Sequence, residues 1–120
     1  MVYWITRLLG IKPAGEDLSP DDYGSIIVDV RDIKDGENEL VKLINTLKKI
    51  TAHLALERGR VILQCQAGMS RSPILAIATL FLQYGLEWND AEDLVKKKCP
   101  ITQINKDLYD QVKKICGVQE

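Results

Sequence analysis

The sequence predicts an α/β fold, in which a small, mostly parallel central sheet of about four strands carries helices on both faces. Residues 61–63 form a short β-branched and apolar run, which is typical of a buried parallel strand. Residues 74–84 are apolar on nearly every side, as expected of a helix packed on a sheet. Residues 39–59 repeat apolar side chains every three or four positions, which predicts a long amphipathic helix.

Length and composition predict a single domain over residues 1–120. The chain is 46% hydrophobic and 28% charged, which is ordinary for a globular protein with one core. A net charge of −1 creates no field that would attract nucleic acid or an acidic membrane. The three cysteines are too scattered for a disulfide framework or a metal site, and no run has the length of a membrane span. We therefore expect a cytoplasmic monomer.

The first quarter of the chain predicts two strands and one helical turn. Residues 1–11 carry a β-prone run, which predicts a strand at or near the sheet edge. A loop over residues 12–17 follows, and Ser-Pro-Asp-Asp at residues 19–22 has the order of an N-cap, a first-turn proline and acids. Residues 25–30 predict a second buried strand, which leads into an acidic polar loop over residues 31–38.

Two more helices are expected after the apolar helix. Asn89, followed by Glu92, predicts a capping box that opens the first of them. Residues 99–105 lead into the last helix, whose core face is expected to contain Leu108, Val112 and Ile115. His53, the single histidine, lies off the apolar stripe of the long helix, so we expect a surface position without a catalytic role.

The sequence between the buried strand and the apolar helix favours anion binding. A strand, a turn and a helix N-terminus bring backbone N–H groups and the helix dipole to one point. Cys65 ends the strand, and a thiolate there would be a nucleophile stabilised by those groups. Arg71 supplies a planar fork that pairs two phosphate oxygens, and Gly68 permits a close backbone approach. Ser70 and Ser72 add hydroxyl groups.

The motif CQAGMSRS at residues 65–72 resembles the phosphate-binding loop of the dual-specificity branch of the cysteine-dependent protein tyrosine phosphatases, whose signature is HCxAGxSRS. The resemblance implies a minimal protein tyrosine phosphatase-like catalytic domain. It implies that Cys65 is the nucleophile, that Arg71 holds phosphoryl oxygens and that Ser72 stabilises the departing thiolate. The phosphate-binding loop is then Gln66, Ala67, Gly68, Met69, Ser70 and Arg71.

One position departs from this signature, because Gln64 replaces the histidine that precedes the nucleophile. An amide can still donate and accept hydrogen bonds, so we expect a retuned enzyme rather than an inactive one. The segment before the last helix resembles the family's RPxIxPN segment only in part. Asn105 matches its asparagine, whereas Ile104 replaces the second proline, and we expect capping and packing roles there. Cys99 and Cys116 are expected to be structural.

Ester cleavage needs a proton for the leaving oxygen, and a carboxylic acid beside the loop is the natural donor. Asp32 follows the second strand, at the interval before Cys65 that the family pattern implies, and is our first candidate. Asp35, on the same loop, is the alternative acid. Asp29 lies inside the apolar run, where a structural carboxylate at the strand end is expected.

The resemblance implies a phosphatase that hydrolyses phosphotyrosine, and also phosphoserine or phosphothreonine, through a cysteinyl-phosphate, without metal or cofactor. Neutral side chains in the loop favour a phosphorylated protein or a small aryl phosphate as substrate. An RNA or phosphoinositide phosphatase is an alternative, and so is a phosphate-binding pseudophosphatase, because Gln64 departs from the signature. Rhodanese-type sulfurtransferases usually lack the SRS ending, and small arsenate reductases carry their loop near the N-terminus, which disfavours both.

Overall fold

The structure, a computed structural model, describes residues 1–56, 59–66 and 70–118. This part of the chain forms four strands, four α-helices and a one-turn 3-10 helix at Pro20–Asp22. The strands are β1 (Tyr3–Trp4), β2 (Leu9–Pro13), β3 (Ile26–Asp29) and β4 (Val61–Cys65). The helices are α1 (Leu40–Ala55), α2 (Arg71–Tyr84), α3 (Trp88–Lys98) and α4 (Lys106–Ile115). The α/β class predicted from the sequence is confirmed.

The sheet has the order β1-β2-β4-β3, in which β2, β4 and β3 are parallel and β1 is an antiparallel edge strand. Pro13 lies opposite Cys65, and Asp29 lies opposite Gln64, so the three parallel strands end together. The loops that follow them therefore meet at one edge of the sheet. Open α/β sheets bind ligands at this edge. The expectation of a four-stranded, mostly parallel sheet is confirmed.

The N-terminal β-prone run forms two strands, so the single strand predicted over residues 1–11 is wrong. The chain reverses at Thr6, whose Oγ1 accepts hydrogen bonds from two backbone amides of the turn at 3.2 and 3.0 Å. β1 then packs closely on β2, since a Cβ at Gly10 would lie 2.9 Å from the side chain of Trp4, its partner on β1. Because β2 extends to Pro13, the loop predicted over residues 12–17 begins later.

One face of the sheet shares a single hydrophobic core with the four α-helices. Alternate strand residues point into this core, namely Leu9, Ile11, Val28, Val61, Leu63 and Cys65. The buried stripe of α1 consists of Leu43, Leu47, Ile50 and Leu54, which confirms the amphipathic helix. Most of α2 is buried, as its apolar sequence predicts. The helices thus hold β4 and the start of α2 in fixed positions.

N-terminal residues and the 3-10 helix lie over the opposite face of the sheet. The Arg60 guanidinium lies 4.9 Å from the centre of the Trp4 ring, and its Nη1 is 3.6 Å from Asp22 Oδ1. Ile62, which points to this face, is fully buried. The sequence predicts helices on both faces of the sheet. On this face, the described residues form only the single 3-10 turn at Pro20–Asp22.

Two helix starts test the capping predictions. α3 begins after Glu87, so the prediction that Asn89 caps this helix is wrong. The earlier start places Trp88 in the core, where its ring packs edge-to-face against the Phe81 ring with 5.8 Å between the ring centres. Asn105 does cap α4, because its side chain accepts a hydrogen bond from the Leu108 amide at 3.0 Å. No helix within the described ranges has the length and apolar character needed to cross a membrane.

Candidate active site

The candidate nucleophile is the last residue of β4. Cys65 is fully buried, and its carbonyl oxygen accepts a hydrogen bond from the Ala14 amide at 2.7 Å. This bond continues the β2–β4 ladder beyond the strands and fixes the backbone at the carboxyl edge of the sheet. The Cys65 thiol contacts the Gln66 carbonyl oxygen at 3.3 Å. β4 therefore delivers a sulfur atom to the edge where the loops of three strands meet.

Arg71 begins α2 and reaches across to the loop that follows β3. Its Nη1 donates hydrogen bonds to the carbonyl oxygens of Arg31, at 3.0 Å, and Ile33, at 2.9 Å. Among the residues that the structure describes, no acceptor contacts Nε or Nη2 of Arg71, which leaves these donors for a ligand. The planar fork that Nε and Nη2 form suits the oxygens of a phosphoryl group.

Asp32 lies between the two carbonyl groups that Arg71 binds, and its side chain is exposed. Asp35, the alternative acid, is also exposed but lies farther along the same loop. There Asn38 fixes the chain, because it accepts from the Lys34 amide and donates to the Lys34 carbonyl, both at 2.8 Å. Arg71 thus ties the backbone at Asp32, rather than that at Asp35, to the start of α2.

Asp29 forms an ion pair at the end of β3. Its carboxylate accepts from the Arg31 guanidinium, with Nη2 at 2.6 Å, and from the Gln64 amide at 3.3 Å. The hydrogen bonds from the Arg31 side chain lower the pKa of Asp29 to about 2, against a smaller opposing effect of burial. Asp29 is therefore ionised at neutral pH, and its bonds hold the chain at the strand end.

The two serines of the motif are buried in different ways. Ser70 Oγ accepts a hydrogen bond from the Asn105 backbone amide at 3.0 Å, which joins the segment before α4 to the start of α2. Ser72 is fully buried, and its hydroxyl has no hydrogen-bond partner among the described residues. An unpaired buried hydroxyl is costly, so this group is suited to an acceptor that arrives with substrate or forms during reaction.

The structure brings most of the predicted site residues to one edge of the sheet. Cys65, Ser70, Arg71 and Ser72 lie at the end of β4 and the start of α2, with Asp32 on the loop bound to Arg71. Gln66 is exposed, next to the nucleophile. The remaining predicted loop residues, Ala67, Gly68 and Met69, lie outside the described residues.

Sequence reasoning missed two features near this edge. The first is the ion pair between Asp29 and Arg31. The only sequence signal for this ion pair is that the two residues carry opposite charges two positions apart. Lys12 is the second missed feature, because its side chain is only 5% exposed and its ammonium donates to the carbonyl oxygens of Pro13 and Glu16 at 3.1 and 2.8 Å. Lys12 therefore fixes the loop after β2 beside Gln64, its neighbour in register on β4.

The other two cysteines are held as neutral thiols by their surroundings. Burial raises the pKa of the Cys99 thiol, and burial raises that of Cys116 to about 11. Both side chains pack against the hydrophobic core. Because the thiolate is the reactive form, these environments suit structural cysteines rather than nucleophiles.

Comparison with known proteins identifies the family. A model of the dual specificity phosphatase catalytic domain matches residues 13–115. Tyrosine-protein phosphatase YVH1 of Saccharomyces cerevisiae is 39% identical over 56 residues, which are 47% of this chain and 15% of that protein. Dual specificity protein phosphatase 21 of Homo sapiens is 29% identical over 87 residues, which are 72% of this chain and 45% of that protein. The chain thus spans less than half the length of these relatives.

Solved structures share the fold at lower sequence identity. Human DUSP28 superimposes with a TM-score of 0.81 and 19% identity, over 98% of this chain and 96% of that chain. The human tyrosine phosphatase-like serine/threonine/tyrosine-interacting protein superimposes with a TM-score of 0.72 and 18% identity, over 92% of each chain. Because the family model extends over most of the sequence, from the end of β2 to the end of α4, the chain belongs to the dual specificity phosphatase catalytic-domain family.

Proposed function

We propose that this chain is a protein phosphatase that hydrolyses phosphotyrosine, and also phosphoserine or phosphothreonine, through a cysteinyl-phosphate intermediate. One observation carries the proposal. Arg71 binds the backbone on both sides of Asp32, so the phosphate-binding arginine and the candidate acid act at the same edge as the Cys65 sulfur. A nucleophile, an oxyanion clamp and a proton donor at one point suit phosphoryl transfer to a thiolate.

In the first step, the Cys65 thiolate attacks phosphorus, the S–P bond forms, and the P–O ester bond breaks. The leaving phenol or alcohol oxygen takes its proton from the Asp32 carboxyl group. The Arg71 N–H groups that have no acceptor among the described residues then bind the non-bridging oxygens as their charge develops. A dry, fixed set of donors stabilises such charge more strongly than water does.

In the second step, water attacks phosphorus and the S–P bond breaks, which releases phosphate. The Asp32 carboxylate accepts the proton of that water and returns to its acid form. The sulfur departs as a thiolate, and the Ser72 hydroxyl, which lacks a partner among the described residues, donates a hydrogen bond to it. The same residues thus serve both half-reactions.

The test is hydrolysis of an aryl phosphate in the presence of a chelator, from about pH 4 to 8. The proposal predicts turnover by the wild type, none by Cys65→Ser, and unchanged turnover by Cys116→Ser, which changes a half-buried thiol at the end of α4. Asp32→Asn should lower kcat about 100-fold and should abolish the decline of activity at higher pH that is caused by deprotonation of the acid. If Asp35→Asn shows that behaviour instead, the acid is assigned wrongly; turnover by Cys65→Ser overturns the mechanism.

A phosphate-binding pseudophosphatase is the second candidate, and the observation that favours it is Gln64. This residue replaces the family histidine and directs its amide to Asp29 instead. An inert wild type that still binds vanadate would support this candidate. Restored turnover in Gln64→His would then locate the defect at that position.

A further inference from the structure

Asp29 is the centre of a hydrogen-bond cluster that joins two strand ends. Its Oδ1 accepts from the Arg31 backbone amide and from Arg31 Nε, both at 3.0 Å. Its Oδ2 accepts from Arg31 Nε at 2.9 Å, from Arg31 Nη2 at 2.6 Å and from Gln64 Nε2 at 3.3 Å. One carboxylate therefore binds both the main chain and the side chain of the residue that precedes Asp32.

Gln64 connects this cluster to the nucleophile. It lies opposite Asp29 in the parallel β3–β4 register and immediately precedes Cys65. Its amide therefore bridges the two strands where they end, on the face opposite the buried Cys65 side chain. Where the family places a histidine, this chain has an amide that holds a carboxylate on the neighbouring strand.

Arg31 is held at both of its ends. Its side chain and amide bind Asp29, while its carbonyl oxygen accepts from Arg71 at 3.0 Å. The chain on the other side of Asp32 is fixed as well, because the Ile33 carbonyl binds Arg71 and the Ile33 amide donates to Val30 at 3.0 Å. Asp32 thus has an exposed side chain on a backbone that is held by hydrogen bonds immediately before and after it.

We infer that Asp29 is a positioning residue for the general acid, acting through Arg31 and supported by Gln64. The inference rests on the proposed phosphatase function. The Asp29–Arg31 ion pair contributes little to folding, because its side chains are 39% and 45% exposed. Its effect is on the position of Asp32, and displacing a reacting group by about 1 Å can slow a reaction about 100-fold.

The test compares substrates that differ in their need for the acid. The 4-nitrophenolate of 4-nitrophenyl phosphate is a good leaving group that departs without a proton. The phenolate of phenyl phosphate is a poor leaving group, so its oxygen must be protonated by the acid as it departs. Asp29→Ala should lower kcat for phenyl phosphate about tenfold and for 4-nitrophenyl phosphate by no more than about twofold. Arg31→Met removes the other partner and should produce the same selective loss. In an Asp32→Asn background, Asp29→Ala should add no selective loss.

Asp110→Ala is the matched control, because it removes an exposed ion pair of similar length, to Lys106 at 2.7 Å, on α4. It should leave both substrates unaffected. Equal loss on both substrates in Asp29→Ala and Arg31→Met, or no loss on either, overturns the inference.

Hydrogen exchange separates this inference from the proposed function. The Ile33 amide should exchange at least about fivefold faster in Asp29→Ala than in the wild type, whether or not the protein is an active phosphatase. If the wild type is inactive and the Ile33 amide still exchanges faster in Asp29→Ala, the loop-positioning role is supported while the phosphatase proposal fails. Unchanged exchange overturns the positioning role itself.

Discussion

Ser72 offers the clearest prediction at the residue scale, because its buried hydroxyl has no partner among the described residues. Ser72→Ala should leave the free energy of unfolding within about 1 kcal/mol of wild type, since no hydrogen bond to a described residue is lost. If Ser72 assists release of the thiolate, the second step should slow about tenfold. Stopped-flow kinetics should then show a burst of product release that precedes slow turnover.

Ser25→Ala is the matched control for this change. Ser25 carries the other buried hydroxyl without a partner among the described residues, and it lies at the opposite end of β3 from the site. The control should alter neither the burst nor the steady-state rate. A slow, burst-forming Ser25→Ala, or a kinetically normal Ser72→Ala, would contradict the assigned role.

The lowered pKa of Asp29 predicts how pH changes stability. This carboxyl has a pKa of about 2 in the folded protein against an ordinary value of 3.8, so its ionised form favours folding above about pH 4. The contribution is lost as pH falls from about 4 towards 2. Urea unfolding should show wild type more stable than Asp29→Asn at pH 5, by at most about 1 kcal/mol for an exposed pair. The difference should shrink at pH 3; a constant or growing difference would contradict it.

The sequence could nominate residues for the candidate site because phosphate binding, the proposed role, constrains residue type and spacing together. The Asp29–Arg31–Gln64 cluster was not predictable, because it depends on side-chain rotamers at exposed positions and on the β3–β4 register. Nothing in the periodicity of a single strand shows which residue of another strand will lie opposite it.

The start of α4 carries a prediction at the element scale. Asn105→Ala removes the side-chain acceptor of the Leu108 amide and should lower the free energy of unfolding by about 1 kcal/mol. The bond from the Asn105 amide to Ser70 uses the main chain and survives this substitution. Urea unfolding measures the loss, and Asn105→Asp, which retains a capping acceptor, should recover most of it.

Asn89→Ala serves as the control for this capping prediction. Asn89 lies in the first turn of α3 rather than at its N-cap, which is Glu87. The substitution should therefore change stability by less than about 0.5 kcal/mol. An equal loss at both asparagines would mean that capping is not the source of the effect at Asn105.

Strong periodicity made most elements predictable, and weak local signals explain the errors. The stripe of α1 and the apolar run of β4 are long or distinctive enough to identify their elements. By contrast, neither glycine nor proline stands where residues 1–11 reverse direction, and a threonine hydroxyl accepts the hydrogen bonds of that turn instead. At α3, burial of Trp88 overrides the capping preference of the asparagine that follows it.

Arg71 links parts of the molecule that are distant in sequence, so its prediction belongs to the scale of the whole chain. Arg71→Lys keeps the charge but loses the fork that binds two carbonyl oxygens while presenting further donors to a phosphoryl group. We expect kcat to fall at least about 100-fold and vanadate affinity to weaken.

Lys113→Arg is a control for exchanging one cation for the other away from the site. Lys113 lies on α4 and contacts the Tyr109 ring at 5.6 Å, where an arginine can also stack. Its kcat and vanadate affinity should match wild type. If Arg71→Lys also matched wild type, the proposed clamp would be wrong.

The parallel topology explains why the sequence predicts the sheet edge that carries the candidate site but does not predict the hydrogen bonds that join its segments. Three parallel strands that end together bring their loops to one edge, which the α/β pattern predicts. The bonds from Arg71 to the loop after β3 join α2 to a segment far earlier in the chain. Such a contact depends on the assembled sheet and has no local sequence signal.

Direct detection of the covalent intermediate tests the central claim most closely. The wild type is mixed with 4-nitrophenyl phosphate, quenched with acid within the first turnovers, and mapped by peptide mass spectrometry. The proposed mechanism predicts a phosphoryl group on Cys65, enriched in Ser72→Ala and absent from Cys65→Ser. Turnover with an unmodified Cys65, or a phosphoryl group on another residue, would contradict the mechanism.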